Sequence, residues 1–168
     1  MRISGVHFRY SRSMRTSKGG VSWLYNWVTA FRAPREQGYE LLNEVTQFPL
    51  IMTTATRLPD VYVRDEKTVV YNKEEDYVRM YRNLVACFET AKENKFPMVV
   101  ISEVGSQPGF DNPPFSVAHA IYMAASQYRE HFERVVVAVK KCPDPATDRY
   151  DLFEQFDKIL NQHLVDDQ

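Results

Sequence analysis

One stretch of this chain, residues 96–115 (FPMVVISEVGSQPGFDNPPF), limits its possible folds more than any other. The apolar run at residues 98–101 is too short for a helix and lies between a proline and a glycine, which is typical of a strand buried on both faces. Gly105 and Gly109 can adopt positive φ angles and let a ligand approach the backbone. The prolines that follow suit the first turn of a helix.

This pattern predicts a strand, a loop and a helix start, arranged so that free N–H groups and the helix dipole favour an anion. The same glycines and prolines would also serve an ordinary strand-to-helix turn in an α/β protein. On spacing alone, both interpretations stay open.

Length and composition indicate one soluble domain, residues 1–168. With 44% hydrophobic and 26% charged residues, no stretch reaches the roughly 18 apolar residues of a membrane span. The first residues lack the apolar core of a signal peptide, which predicts a cytoplasmic location. Cys87 and Cys142 are expected to be free thiols, because the chain has no Cys-x-x-Cys and no zinc-type spacing. We therefore predict no metal site and no cofactor.

The charge of the chain is divided unevenly. Residues 1–35 contain seven Arg and Lys and no acid, while residues 36–168 contain 14 basic and 22 acidic residues, a net charge of −8. A basic segment on an acidic protein favours a small polyanion over a long nucleic acid. The alternative is that this basic segment, residues 1–35, here called the arm, is solvated and pairs with the acidic remainder of the chain.

Hydrophobic periodicity predicts an alternation of strands and helices, and hence an α/β sandwich with a mostly parallel sheet. Two short apolar pieces could form edge strands, a loop crossing the site or a hairpin, and residues 11–20 are expected to form a polar loop. The predicted strands are 2–10, 48–56, 97–102 and 134–140; the predicted helices are 21–32, 36–45, 75–93, 114–132 and 148–164; the two short pieces are 61–63 and 68–71.

Three stretches of this sequence resemble the C-terminal part of a macrodomain, nearest to the microbial poly(ADP-ribose) glycohydrolase-like group. They are VVISEVGSQPGFDNPPFSVAHAI, FERVVVAV and YDLFEQF, of which GFDNPPFSVA is the most specific. The resemblance covers roughly the C-terminal two thirds of the chain. It implies a three-layer α/β/α sandwich around a central mixed, mostly parallel sheet, with an ADP-ribose-shaped cleft at the carboxyl ends of the strands.

The resemblance also implies which residues hold the ligand. Phe110 would lie beside the distal ribose, Asn112 would hold the turn, and Tyr150 would stack on an adenine near the ends of the strands at Tyr10 and Lys140. A second, reduced phosphate loop would lead from two glycines into a helix, with basic residues of the arm nearby. The full set of implied ligand-binding residues is Gly19, Gly20, Val21, Gly105, Ser106, Gln107, Gly109, Phe110, Asn112, Arg9, Arg12 and Tyr150.

Departures from the family pattern concern the chemistry more than the binding. No Gln-Glu-Glu follows the glycines, no Asn-Ala-Asn-like run precedes them, Tyr10-Ser11 stand where many members place an aspartate, and Pro108 is an additional loop residue. The loop offers only Glu103 and Asp111 as candidate acid/base groups. Asp111 could instead cap the following helix, and Glu103 could pair with the basic arm.

Three classes of function follow. The first is a binder of ADP-ribose or a related nucleotide, cyclic forms included, acting as a reader or as a sponge for a nucleotide signal in viral or phage counter-defence and immune evasion. The second is an ADP-ribosyl hydrolase, and the third is a non-enzymatic interaction module. The basic arm and the two glycine loops favour binding, and a homo-oligomer is compatible with each class.

Overall fold

A computed structural model describes residues 6–8, 12–15, 20–66, 68–141 and 151–166 of the chain. None of the described helices is long and apolar enough to cross a lipid bilayer. The strands are β1 (Val6–Phe8), β2 (Arg12–Arg15), β3 (Val21–Arg32), β4 (Leu41–Thr53), β5 (Val61–Asp65), β6 (Thr68–Tyr71), β7 (Met98–Ser102) and β8 (Arg134–Ala138). The α-helices are α1 (Glu74–Glu93), α2 (Pro114–Ser126) and α3 (Leu152–Asp166), and single 3-10 turns form at Arg35–Gln37 and Arg129–His131.

Strand β3 is the centre of a four-stranded antiparallel sheet, and the prediction of a helix over residues 21–32 is wrong. On one edge β3 pairs with β4, and on the other its two halves pair with β2 and β1. Apolar residues in this segment fit a helical period, but its valines, threonine and aromatic residues are also strong strand formers. Pairing along both edges outweighed the helical periodicity.

Two neighbouring predictions are also corrected. Residues 36–45 were predicted to be helical, but the 3-10 turn is followed by Gly38 and Tyr39 at φ 69° and 57°, and β4 starts at Leu41. Two successive left-handed residues end a right-handed helix. Residues 11–20 were predicted to form a loop, yet residues 12–15 form β2 because β3 offers them an open edge.

Most remaining elements lie where the sequence predicts them, but β4 covers Leu41–Thr53 instead of 48–56, and of the predicted strand 2–10 the structure describes residues 6–8 alone. The two short pieces form the antiparallel hairpin β5–β6, one of the alternatives left open. Helix α1 matches its predicted bounds, whereas α2 ends at Ser126, earlier than predicted, and is followed by the second 3-10 turn. Strands β7 and β8 pair in parallel through the crossover helix α2.

The three helices share one core. Leu84 and Phe88 of α1, Val117 and Ile121 of α2 and Phe156 of α3 belong to a single buried cluster. The inward side chains of three strands pack against the same cluster; they are Ile51, Val99, Ile101, Val135 and Val137. These strands and the three helices therefore enclose the same core.

The α/β class is as predicted, but the arrangement of the sheet is not. Four of the five strand pairings in the described residues are antiparallel, and the strands fall into three separate sheets where one mostly parallel sheet was expected. Within these residues no helix covers the side of β7 and β8 that faces away from the core. The prediction that these strands are buried on both faces is thus wrong, since alternate residues are exposed.

Candidate functional site

The loop between β7 and α2, residues 103–113, is folded into two tight turns. The N–H of Ser106 donates to the carbonyl of Glu103 at 3.0 Å, and the N–H groups of Phe110 and Asp111 donate to the carbonyl of Gln107 at 3.2 Å. Gly105 and Gly109 have φ angles of 78° and 94°, as predicted from their freedom to adopt left-handed conformations. The loop is therefore an ordered structure built around its glycines.

The buried side chain of Asn112 holds this loop together from its protein-facing side. It is fully buried, and its Nδ2 donates to the carbonyls of Thr56 at 2.7 Å and Gly105 at 3.0 Å. Its own N–H also donates to the Gly105 carbonyl at 3.0 Å. A Cβ on Gly105 would come within 2.9 Å of this Nδ2, so Gly105 is needed for close approach as well as for its φ angle. Asn112 holds the turn, as the resemblance implied, from a position with no access to solvent.

Tyr71, at the end of β6, completes the support of Asn112. Its hydroxyl donates to Asn112 Oδ1 at 2.8 Å, and burial, aided by the nearby negative charge of Asp76, raises the pKa of the Tyr71 phenol. The phenol therefore stays protonated and remains a donor at neutral pH. Sequence reasoning missed this residue, because a tyrosine that ends a short strand carries no sign of its partner.

The loop holds several donors that the fold itself does not use. Among the described residues, no hydrogen bond takes the N–H groups of Gly105, Gln107 and Gly109. Ser106 is only 5% exposed, and its Oγ likewise has no hydrogen-bond partner in the described part of the chain. A buried hydroxyl without a partner costs about 1–3 kcal/mol, so a group that completes it would be favoured here.

The outer part of the loop is open to solvent. A Cβ on Gly109 would meet nothing within 4 Å, and Gln107 and Pro108 are exposed. The Phe110 ring is 39% exposed, while its carbonyl accepts a hydrogen bond from the N–H of Leu58 at 2.8 Å. A ligand can thus reach the exposed residues Gln107 and Gly109 from outside, whereas Gly105 and the Ser106 hydroxyl are buried.

The two acids of the loop have different surroundings. Asp111 adopts φ 52°, and it does not cap α2: the N-cap is Pro113, with no side-chain cap hydrogen bond. The predicted capping role is therefore wrong, because the two prolines start the helix two residues further on. The Glu103 side chain is half-buried, with no hydrogen bond or ion pair to any described residue. Its pairing with the basic arm stays a prediction.

The second glycine turn differs from the predicted phosphate loop. Val21 begins β3 instead of a helix, so no helix dipole points at this turn, and its N–H already donates to Asn83 Oδ1 at 3.1 Å. A Cβ on Gly20 would lie 1.9 Å from the Arg82 carbonyl oxygen. In this structure Gly20 allows β3 to pass close to α1, and the helix-based reason for an anion here fails.

Asn83 is the second buried asparagine that organises this region. Its Nδ2 donates to the carbonyl of Thr54, just after the end of β4, and its Oδ1 accepts from the N–H of Val21, at the start of β3, so it joins both strands to α1. The sequence did hold one sign of this role: Asn83 lies in the otherwise apolar stripe of α1. A buried amide needs hydrogen-bond partners, so its position indicates polar contacts to neighbouring segments.

Several predicted ligand contacts lie outside the described residues. They are Arg9, Gly19, Tyr150 and the neighbouring Tyr10; for Arg12 the structure describes only the backbone, in β2. Lys140 is exposed just beyond β8. The adenine-side contacts thus stay predictions.

A separate cavity of about 460 Å³ lies along α1. It is lined by Glu74, Glu75, Val78, Arg79 and Arg82, and none of the loop residues contributes to it. Two acids and two bases nearly cancel, so this cavity offers no strong preference for an anion.

Comparison with solved structures identifies the fold. Poly(ADP-ribose) glycohydrolase from Deinococcus radiodurans, solved in complex with ADP-ribose, matches with a TM-score of 0.66 and 17% identity, over 86% of this chain and 54% of that one. The enzyme from Thermomonospora curvata matches with a TM-score of 0.59 and 18% identity, over 81% of this chain and 47% of that one. This chain has the macrodomain-like fold of the microbial poly(ADP-ribose) glycohydrolases.

The chain spans about half the length of the structures it matches. No protein-family model and no curated protein matches the sequence. The likeness therefore rests on structure, and at this level of identity it establishes the fold alone.

Proposed function

We propose that this protein binds an ADP-ribose-like nucleotide and holds its pyrophosphate on residues 105–110. The observation that carries this proposal is the set of unused donors in one loop: the N–H groups of Gly105, Gln107 and Gly109 and the buried hydroxyl of Ser106. The loop precedes the N-terminus of the 13-residue helix α2, where the helix dipole favours negative charge.

The comparisons support the same ligand class, because a protein with this fold was solved with ADP-ribose bound. Phe110 offers an exposed ring at the rim of the loop for the ribose or base. Arg9 and Arg12 are expected to add charge attraction from the arm, and Tyr150 to stack on adenine.

We propose binding without hydrolysis, as a reader or a sponge. The strand β3, which directly follows the second glycine turn, contains no Asp or Glu, so that segment supplies no general acid. Glu103 and Asp111 are the two carboxylates of the pyrophosphate loop, and a catalytic role for either would be the competing function. A sponge would bind the free nucleotide more tightly than an ADP-ribosylated protein.

The decisive variant is Gly109→Glu. It places a carboxylate and a side chain where the phosphates would lie, in a position whose surroundings are empty. We expect ADP-ribose binding, measured by calorimetry, to fall below detection.

The matched control is Gly38→Glu. Gly38 also has a positive φ, 69°, and open surroundings, but it lies in the β3–β4 connection. Both substitutions should therefore lower the free energy of unfolding by the same amount, about 1–2 kcal/mol, because each forces a left-handed backbone on a residue with a Cβ. Equal affinity in the wild type and Gly109→Glu would contradict the proposal.

Hydrolysis is tested on the same protein. After incubation with the wild type and denaturation, we expect ADP-ribose and an ADP-ribosylated substrate to be recovered unchanged. Turnover that disappears in Glu103→Gln or Asp111→Ala would establish the hydrolase instead.

A further inference from the structure

The outward face of β7 and β8 is an apolar surface that no described part of the chain covers. On β7, Val99 and Ile101 pack on the core, so Met98 and Val100 point the opposite way and are 52% and 63% exposed. On β8 the outward residue Val136 stands opposite Val100 in the parallel register. Parallel strands are normally covered on both faces. We name this surface, formed by Met98, Val100, Ser102, Arg134, Val136, Ala138 and Lys140, the open face.

The open face has a simple charge pattern. Alternation continues past β8, since Val139 packs against the core, and therefore Lys140 lies on the same side as Arg134. The two basic residues stand at the two ends of the apolar centre, about 20 Å apart at 3.3 Å per residue. The outward residues of both strands include no acid. A helix of about 13 residues spans this length.

We propose that a partner polypeptide docks on the open face as an amphipathic helix, with an apolar stripe over Val100 and Val136 and acidic residues at its two ends. Such a helix would supply the cover that a parallel strand pair requires. Arg134 and Lys140 would set its orientation by charge complementarity. This proposal is independent of nucleotide binding at the loop.

A second copy of this chain fits the open face poorly. If two open faces met, basic ends would stand opposite basic ends whichever way the strands ran, which costs energy on each side. Among the helix residues whose exposure is described, which exclude 163–166 of α3, Met123 is the one large hydrophobic side chain that is exposed. The charges therefore favour a different partner.

The test uses a labelled 16-residue synthetic peptide with Leu and Ile at positions i, i+3, i+4 and i+7 and two Glu at each end. A second peptide carries Lys in place of each Glu. We expect the full-length protein to bind the Glu peptide in fluorescence anisotropy, at least tenfold more tightly than the Lys peptide. Val100→Glu should weaken binding at least tenfold, and Arg134→Glu combined with Lys140→Glu should reverse the preference between the peptides.

Val63→Glu is the matched control, because Val63 is a valine of similar exposure, 68%, on the separate hairpin β5–β6. It should leave peptide binding unchanged. The proposal is overturned if neither peptide binds, or if Val63→Glu weakens binding as much as Val100→Glu. It is also overturned if Val100→Glu lowers the melting temperature well beyond Val63→Glu, or if the wild type forms a dimer in sedimentation that Val100→Glu dissociates. The last two results would assign the face to this chain itself or to a second copy.

Discussion

At the scale of single residues, the site separates groups that build the loop from groups left unused by it. The side-chain amide of Asn112 donates hydrogen bonds to the carbonyls of Thr56 and Gly105 and accepts one from the Tyr71 hydroxyl. Ser106, six residues earlier, is almost as deeply buried, yet its hydroxyl has no partner among the described residues. Such a hydroxyl lowers the stability of the free protein, and under the proposed function a phosphate oxygen would supply its missing partner after a small local shift of the loop.

Ser106→Ala should therefore affect stability and affinity in opposite directions. Removing an unsatisfied hydroxyl should leave the free energy of unfolding unchanged or raise it by up to about 1 kcal/mol. Affinity for ADP-ribose should fall by at least about tenfold, since a hydrogen bond to a charged group contributes about 1.5–3 kcal/mol. Urea denaturation and calorimetry measure the two effects.

Adenosine serves as the control ligand, because it has no phosphate for the hydroxyl to contact. Its binding, where measurable, should be the same in both proteins. A loss of stability without a loss of affinity would show that Ser106 has only a structural role.

At the scale of elements, the critical contact is between the start of β3 and α1. Gly20 is buried against the helix, and the carbonyl of Arg82 occupies the place of a side chain. Ser22, two residues later, shares a hydrogen bond of 2.7 Å with Thr90 of the same helix. This segment is thus fixed by packing, whatever binds nearby.

Gly20→Ala should destabilise the protein by about 3 kcal/mol, because the new Cβ overlaps a backbone oxygen that cannot move alone. Gly38→Ala, in open surroundings, should cost about 1 kcal/mol for its left-handed backbone. Urea denaturation of both variants measures the difference. If Gly20→Ala were as stable as the wild type and lost only nucleotide affinity, the phosphate-loop interpretation of this turn would be restored.

The same elements show where sequence reasoning succeeds. Helix α1 and strands β7 and β8 were predictable because each has one dominant signal: a long apolar stripe or a short valine-rich run. The left-handed turns of the loop were predictable from its glycines, because glycine adopts positive φ angles that few other residues tolerate. The structure of residues 21–32 was not predictable, because their apolar residues fit both a helical and a strand pattern. Pairing with β1, β2 and β4 makes this segment a strand.

At the scale of the whole molecule, charge is distributed in two unequal parts. The first 35 residues carry +7 and the rest −8, so an anionic ligand bound near the arm would meet attraction from one part and repulsion from the other. The candidate loop lies in the acidic part, and its own donors are neutral. Long-range steering of a nucleotide would then depend on the arm.

Affinity for ADP-ribose should accordingly weaken as salt rises, because exposed charges are screened over about 8 Å at 0.15 M and about 3 Å at 1 M ionic strength. Titrations at the two salt concentrations test this, with Arg9→Gln combined with Arg12→Gln as the variant that should show a smaller change. An affinity that is independent of salt in the wild type would assign the arm to solvent.

The candidate loop has buried residues that fix its shape and exposed residues that do not, and this difference affects how the site could evolve. Gly105 and Asn112 are fixed by close packing and by shared hydrogen bonds, whereas Gln107, Pro108 and Gly109 between them face solvent. Substitutions at Gln107 and Pro108 would change the shape and charge presented to a ligand with little effect on the scaffold beneath, whereas any other residue at Gly109 would carry the cost of its left-handed backbone. The ligand preference of such a loop could therefore change through a few substitutions at Gln107 and Pro108, without loss of the scaffold that holds it.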